Sequence, residues 1–241
     1  MNKNLKIFLG ISYLLILFAF LYLIFIGIDL NRLGDFSYYK EIQTDLGKYV
    51  SANLVINLVY FFFFAIIWVA LLGFGSPILI ISGILFGQWV GTLISVISIS
   101  LGAVLLYAIG IFFFSDLVKT LLEKKFKGYI ELFQKNEFFY FFIYRLTGGL
   151  GVPFALQNLL PVLFNMKKTN YFLASLFGFI PSMFVMNTIG AGLNTYLAQA
   201  QTFSIINLLL TKEIFLPLTL FFILMIFSLI MKKKFFDDRN K

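Results

Sequence analysis

Across 241 residues the chain is 61% hydrophobic, 20% aromatic and only 12% charged, with a net charge of +8. So little polar surface cannot cover a soluble fold of this size, which points to an all-α integral membrane protein. Cysteine and histidine are both absent, which excludes disulfides, thiolate metal sites, cysteine nucleophiles and the usual neutral-pH base; no metal, cofactor or catalytic residue is expected.

In chain order, residues 7–28 carry no charge and are long enough to cross a bilayer, which takes roughly 20 apolar residues. No small-residue cleavage pattern follows Ile28, so this run reads as a retained membrane helix rather than a secretory signal. A polar connection at 29–53 follows, in which Phe36, Tyr39, Leu46 and Tyr49 approach helical spacing, and part of it is expected to lie flat on the membrane. The next stretch carries no charge from Tyr49 all the way to Ser115. Two crossings, at about 54–72 and 89–114, use roughly 40–45 of its residues. The remainder begins GFGSP, where Gly73, Gly75 and Pro77 oppose a continuing helix. Broken backbone at membrane depth survives only where protein buries it or where it lines a wet cavity. GFGSP is therefore read as the start of a re-entrant hairpin.

Residues 116–135 place Val118, Leu122, Phe126, Tyr129 and Phe133 on one face with lysines and glutamates around the rest, the pattern of an interfacial amphipathic helix. The run then reads FFYFFIYR, followed by LTGGLGVPFALQNLLPVLFNMKK, with further crossings expected at about 170–193 and 213–231. Sliding the sequence along itself without gaps until Gly73 meets Gly149 also pairs Gly75 with Gly151, Pro77 with Pro153 and Gly102 with Gly178. One crossing separates equivalent points, so the copies should be inverted, as in many transporters. The expected fold is an inverted repeat with two re-entrant helical hairpins and about five transmembrane helices. Its parts are an N-terminal helix and connection (1–53), a core (54–193, with repeats at about 54–114 and 138–193), and a C-terminal helix with a basic tail (194–241).

Lysine and arginine bias sets orientation. With five crossings and the C-terminus in the cytoplasm, fifteen of these residues lie inside and Lys3, Lys6 and Lys212 outside. If the first hairpin crossed fully, the C-terminus would stay inside and the N-terminus would move there too. The tail KKKFFDDRNK fits topology and attraction to anionic lipid headgroups, or a simple stop-transfer cluster, rather than nucleic acid.

Arg145 is the one charge inside an otherwise apolar hairpin arm, with Thr147, Gln157 and Asn158 close by in sequence. An arginine at this depth costs several kcal/mol unless it finds a partner or water. Two roles stay open: its fork of donors receives a phosphate or carboxylate from a substrate, or it donates to carbonyls freed by the turn and holds the hairpin shut. Gly83, Gly87, Gly91 and Ser95 recur every four residues and are read as a smooth helix-packing face. Gly102, Gly178 and Pro181 are assigned to packing and bending. Pro161 belongs to the descending arm of the second hairpin.

The ordered set GFGSPILIISGILFGQWVGT, LGAVLLYAIG and FFIYRLTGGLGVPFALQNLLPVLFNMKKTNYFLASLFGFIPSMF resembles the DedA superfamily, whose shared region is also called the VTT or SNARE-associated Golgi protein domain. The resemblance covers about residues 60–193, with Arg145, Pro153, Phe154 and Asn158 on a second-hairpin pattern of one branch. It implies a bacterial or organellar membrane protein, here placed in the bacterial inner membrane, that moves phospholipid or polyprenyl phosphate between leaflets. Arg145 would bind lipid phosphate or organise the second hairpin, with Asn158, Gln157 and Thr147 beside it. Two departures count against proton coupling: residues 73–91 hold no acidic side chain, and a second hairpin arginine of some members is missing. Alternatives are a secondary transporter of a small anionic solute and a non-transport protein of membrane organisation or assembly; a homo-oligomer is also open. An enzyme is not expected.

Overall fold

The structure is a computed structural model that describes residues 3–26, 32, 35–199 and 204–232. All regular structure among them is helical: α1 (Lys3–Ile26), α2 (Phe36–Ala52), α3 (Leu54–Ala70), α4 (Gly75–Lys135), α5 (Glu137–Leu146), a 3-10 turn (Gly148–Gly151), α6 (Phe154–Leu159), α7 (Pro161–Phe164), α8 (Lys168–Gln199), α9 (Ile205–Leu210) and α10 (Lys212–Lys232).

The first G-x-G-x-P motif is a helix stop followed at once by a helix start. Leu72 takes the left-handed conformation at φ 62°, and the Gly73 N–H returns to the Trp68 carbonyl at 2.8 Å, closing α3 as a Schellman-type cap. The Trp68 indole folds over the turn and donates to the Phe74 carbonyl at 2.7 Å, leaving no room for a Cβ on Gly73. Pro77 is the third residue of α4, inside the first turn, where a helix has no intrahelical partner for its N–H groups.

Beyond that turn the chain runs antiparallel to α3, because Phe61 and Phe86 stack edge-on with ring centroids 5.4 Å apart. It reverses again at Gly87, whose φ of 74° and ψ of 178° lie in a region essentially reserved for glycine. Across this break Ser95 Oγ donates to Ser82 Oγ at 3.0 Å and Ser82 Oγ donates to the Gly91 carbonyl at 3.1 Å. An unbroken helix would put Ser82 and Ser95 about 20 Å apart. Gly75–Phe113 has the length and composition of one span, yet these contacts divide it into an arm at 75–86 and a long helix from 88. Gly83, Gly87, Gly91 and Ser95 therefore do not form one helix face. Gly87 is the reversal itself, with open space where a Cβ would sit. Gly83 and Gly91 face Asn187 of α8 from two different segments.

The second motif repeats the plan. Gly148 and Gly149 have φ of 70° and 74°, and α6 and α7 return antiparallel to α5. Phe133 stacks on Phe164 at 4.3 Å, and Gln134 Nε2 donates to the Phe164 carbonyl at 3.0 Å. Pro161 opens α7, a first helical position that suits its fixed φ, and Asn165, left-handed at φ 47°, turns the chain into α8. Helix α8 continues through Pro181.

Packing contacts recur at the same offset that relates the two motifs. A Cβ on Gly102 would lie 2.9 Å from the Ile66 carbonyl oxygen and 2.9 Å from Val69 Cβ; one on Gly178 would lie 3.1 Å from the Phe142 oxygen and 2.5 Å from Arg145 Cβ. The arms are exchanged: Gly83 of the first arm presses on Asn187 of α8, while Leu159 and Val162 of the second press on Gly110 of α4. The shared core joins both repeats through Val69, Ile78, Ile99, Tyr107, Phe141, Tyr171 and Met183.

Two differences from the sequence reading concern helix count and continuity. Among the described residues two helices, Gly75–Phe113 and Lys168–Gln199, are long and apolar enough to cross a membrane, or three if α2 and α3, bent by 112°, count as one. Five crossings are not established among the described residues. Residues 116–135 continue α4 instead of forming a separate helix. The proposed apolar face at Val118, Leu122, Phe126 and Tyr129 lies outside the described side chains. Helix α2 does form, N-capped by Asp35, whose carboxylate accepts from the Ser37 N–H at 2.9 Å. It leaves Tyr39, Leu46 and Tyr49 exposed; Phe36 lies outside the described side chains.

Candidate functional site

Arg145 sits in the last turn of α5, just before the second glycine turn, and is 1% exposed. Helix α8 can approach so closely only because Gly178 faces Arg145 Cβ. The guanidinium spends four donor contacts on neutral side chains. Nε donates to Ser175 Oγ at 3.3 Å, Nη1 to Gln157 Oε1 at 3.2 Å, and Nη2 to Asn158 Oδ1 at 2.5 Å and to Tyr171 Oη at 2.8 Å. The rings of Phe179, Phe141 and Tyr171 stand 4.4, 4.8 and 5.6 Å from its central carbon, supplying cation–π attraction. No carboxylate is among these partners. The positive charge is solvated by dipoles and ring faces but not neutralised.

Gln157 connects the cation to the turn. Its Oε1 accepts from Arg145, while its Nε2 donates to the Val152 carbonyl at 2.6 Å and the Gly148 carbonyl at 3.3 Å. Its amide lies directly over Gly149, where a Cβ would overlap it. Arg145 thus reaches the carbonyls freed by the turn through Gln157 rather than directly. Asn158 is fully buried, accepts from Tyr171 Oη at 3.3 Å as well as from Arg145, and leaves its own Nδ2 without a partner among the described residues.

Of the residues singled out in the sequence, Arg145, Gln157 and Asn158 converge. Thr147 does not: its hydroxyl donates to the Tyr144 carbonyl at 2.8 Å, a local helix-end bond. Tyr171 and Ser175 complete the cluster from α8 and were missed. The repeat held a signal for one of them, because the shift that lays Gly73 on Gly149 also lays Ser82 on Asn158 and Ser95 on Tyr171. Glu137 was also missed as a structural element. It is 7% exposed, and its carboxylate accepts from the Lys167 N–H at 3.2 Å and from Asn170 Nδ2 at 2.6 Å. It thereby holds the start of α8 to the start of α5.

The two turns meet. Gly75, in the first, packs with the Phe154 ring of the second, where a Cβ would lie 3.3 Å from the ring; Phe154 in turn stacks near Phe179 at 6.0 Å. Phe179 is the ring nearest the guanidinium, so the junction of the two motifs lies one side chain from Arg145. Among the described residues no group of acidic side chains could hold a metal ion. The arrangement is a buried guanidinium whose side-chain hydrogen-bond partners are all neutral.

Residues 73–192 match the family model described as the VTT domain. No curated protein and no solved structure matches the chain.

Proposed function

Since residues 73–192 make this chain a member of the VTT-domain, or DedA, superfamily and its long helices are those of a membrane protein, we propose that it moves phosphate-bearing lipids, phospholipid or polyprenyl phosphate, between leaflets. The observation that carries this reading is Arg145: a guanidinium with only neutral partners, one ring away from the place where the two helix breaks meet. A headgroup crossing hydrocarbon loses its hydration, and a fixed cation at mid-path offsets part of that cost. The fork geometry of arginine can exchange an amide oxygen for a phosphate oxygen without moving the backbone.

In this reading α3 with residues 75–86, and α5 with α6 and α7, are re-entrant hairpins entering from opposite faces of a bacterial inner membrane, with the C-terminus cytoplasmic. Helices 88–113 and α8 cross fully. The protein acts on lipids with no cofactor and without enzymatic chemistry. Coupling to protons is left out, because 73–91 contains no acidic residue.

A leaflet-exchange assay tests it: purified protein in liposomes with labelled phospholipid or polyprenyl phosphate, wild type beside Arg145→Ala and Arg145→Lys. Exchange is expected to collapse in Ala and to be impaired in Lys, which keeps the charge but lacks the fork. Full exchange in Arg145→Ala removes this reading, and counterflow of a small anionic solute without lipid movement replaces it.

A further inference from the structure

Arg145 is sealed from solvent and each of its nitrogens already donates to a side chain, so an incoming headgroup must meet some other group first. Toward the start of α5, about 12 Å along the helix, lies an open polar cavity of about 410 Å³ lined by Lys135, Asn136, Glu137, Asn165 and Lys167, among others. It forms where α4 ends, α5 begins and α7 turns into α8. That volume is in the range of sites that hold small ligands.

The charge pattern is specific. Glu137 is buried in the cavity wall, and its carboxylate is turned inward onto the Lys167 N–H and Asn170. Lys135 and Lys167 are exposed, and among the described residues neither ammonium is paired with a carboxylate. Two ammoniums against one engaged carboxylate leave the cavity net positive, with the amides of Asn136 and Asn165 as further donors. Phe138 also lines it, and the next residue, Phe139, is 46% exposed, so apolar side chains stand beside the polar lining. A ligand with a phosphate at one end and hydrocarbon at the other fits that juxtaposition better than a free anion.

We propose that this cavity is the docking site for the phosphate of a lipid headgroup, held by Lys135 and Lys167 before it passes to Arg145. The proposal rests on the lipid-transport reading for its direction, while binding itself is measurable without transport. Full-length protein in nanodiscs of neutral phosphatidylcholine is titrated with dihexanoyl phosphatidylglycerol and, separately, with inorganic phosphate. The phospholipid is expected to bind at least tenfold more tightly than inorganic phosphate. Each of Lys135→Gln and Lys167→Gln should weaken it about fivefold, the scale of one lysine near an anionic headgroup. The Lys135→Arg/Lys167→Arg protein should bind as wild type does.

Equal binding by wild type and the double glutamine variant overturns the site. Equal affinity for both probes makes it a free-anion site and overturns the lipid assignment, as does failure of the arginine pair to restore binding. Leaflet exchange separates the two readings. A protein that binds phospholipid in a lysine-dependent way but exchanges none removes the transport reading and keeps the docking site. Exchange that proceeds unchanged in the double glutamine variant does the reverse.

Discussion

Ser82 and Asn158 occupy the same place in the two halves of the protein, related by the shift that lays Gly73 on Gly149. Ser82 Oγ accepts from Ser95 Oγ at 3.0 Å, and Asn158 Oδ1 accepts from Tyr171 Oη at 3.3 Å. Their donors, Ser95 and Tyr171, are related by that same shift. The third member differs. Under Gly102 the first copy has Val69, fully buried, and under Gly178 the second has Arg145. One scaffold is thus kept neutral in one half and cationic in the other.

Asn158→Asp should therefore stabilise the protein and slow it. The carboxylate would replace a neutral acceptor 2.5 Å from Arg145 Nη2 and would remove the buried Nδ2 that has no partner among the described residues. An ion pair in place of a bond from the cation to a neutral amide, with an unsatisfied donor gone, is worth about 1–3 kcal/mol. Thermal unfolding in detergent should show a higher midpoint, and leaflet exchange should drop because the guanidinium already has its anion. A lower midpoint together with normal exchange would mean that Arg145 never needs a negative partner.

Because the natural chain lacks cysteine, the reversal at Gly87 can be tested by crosslinking. In Ser82→Cys/Ser95→Cys the two sulfurs would replace hydroxyls 3.0 Å apart, a spacing from which a disulfide can close with small side-chain rotations. Oxidation should protect both thiols from alkylation after denaturation. A continuous helix would hold them about 20 Å apart, and both thiols would then remain reactive.

The broken turns were legible because glycine and proline act on the backbone directly, and Arg145, Gln157 and Asn158 were legible because they lie within 13 residues around one turn. Tyr171 and Ser175 reach Arg145 from 26 and 30 residues away, a proximity created only by α8 packing on α5. Gly87 was misread since spacing carries no dihedral angle: four small residues at intervals of four look like a helix face whether or not one of them has a positive φ. Leu72, a residue type that disfavours the left-handed region, takes it here because the Trp68 bond to Phe74 fixes the turn. Composition alone could not show that. Thr147 was drawn in by nearness in sequence, but its hydroxyl is used by its own helix end.

The glycines make a graded prediction. In Gly83→Ala the new methyl would overlap the Asn187 carbonyl, and in Gly190→Ala the Ile80 carbonyl. Both are backbone atoms that cannot step aside, so each should cost about 1–3 kcal/mol or more. Gly87→Ala meets no atom but must hold φ at 74° and ψ at 178°, costing about 1–3 kcal/mol. Gly47→Ala, in α2 with open space around it, should stabilise by about 0.5–1 kcal/mol. Thermal midpoints in a single detergent rank the four; Gly83→Ala matching Gly47→Ala would contradict the close approach of the first arm to α8.

Glu137 ties the start of α5 to the start of α8. Its carboxylate accepts the Lys167 N–H, which precedes the first turn of α8, and takes Asn170 Nδ2 at 2.6 Å from within that turn. A negative charge there also complements the positive end of the helix dipole. Glu137→Ala would leave a backbone donor and a side-chain amide without a partner, a loss of about 1–3 kcal/mol. Glu137→Gln keeps one acceptor oxygen and the shape while removing the charge, so it should cost less than Ala. The readout is the thermal midpoint together with amide exchange at the start of α8. Faster exchange confined to residues 167–170 is the expected signature, since Glu137 closes that end and not the Arg145 cluster two turns away. Loosening of Tyr171 and Arg145 to the same degree as Lys167 would show instead that the two sites open as one unit.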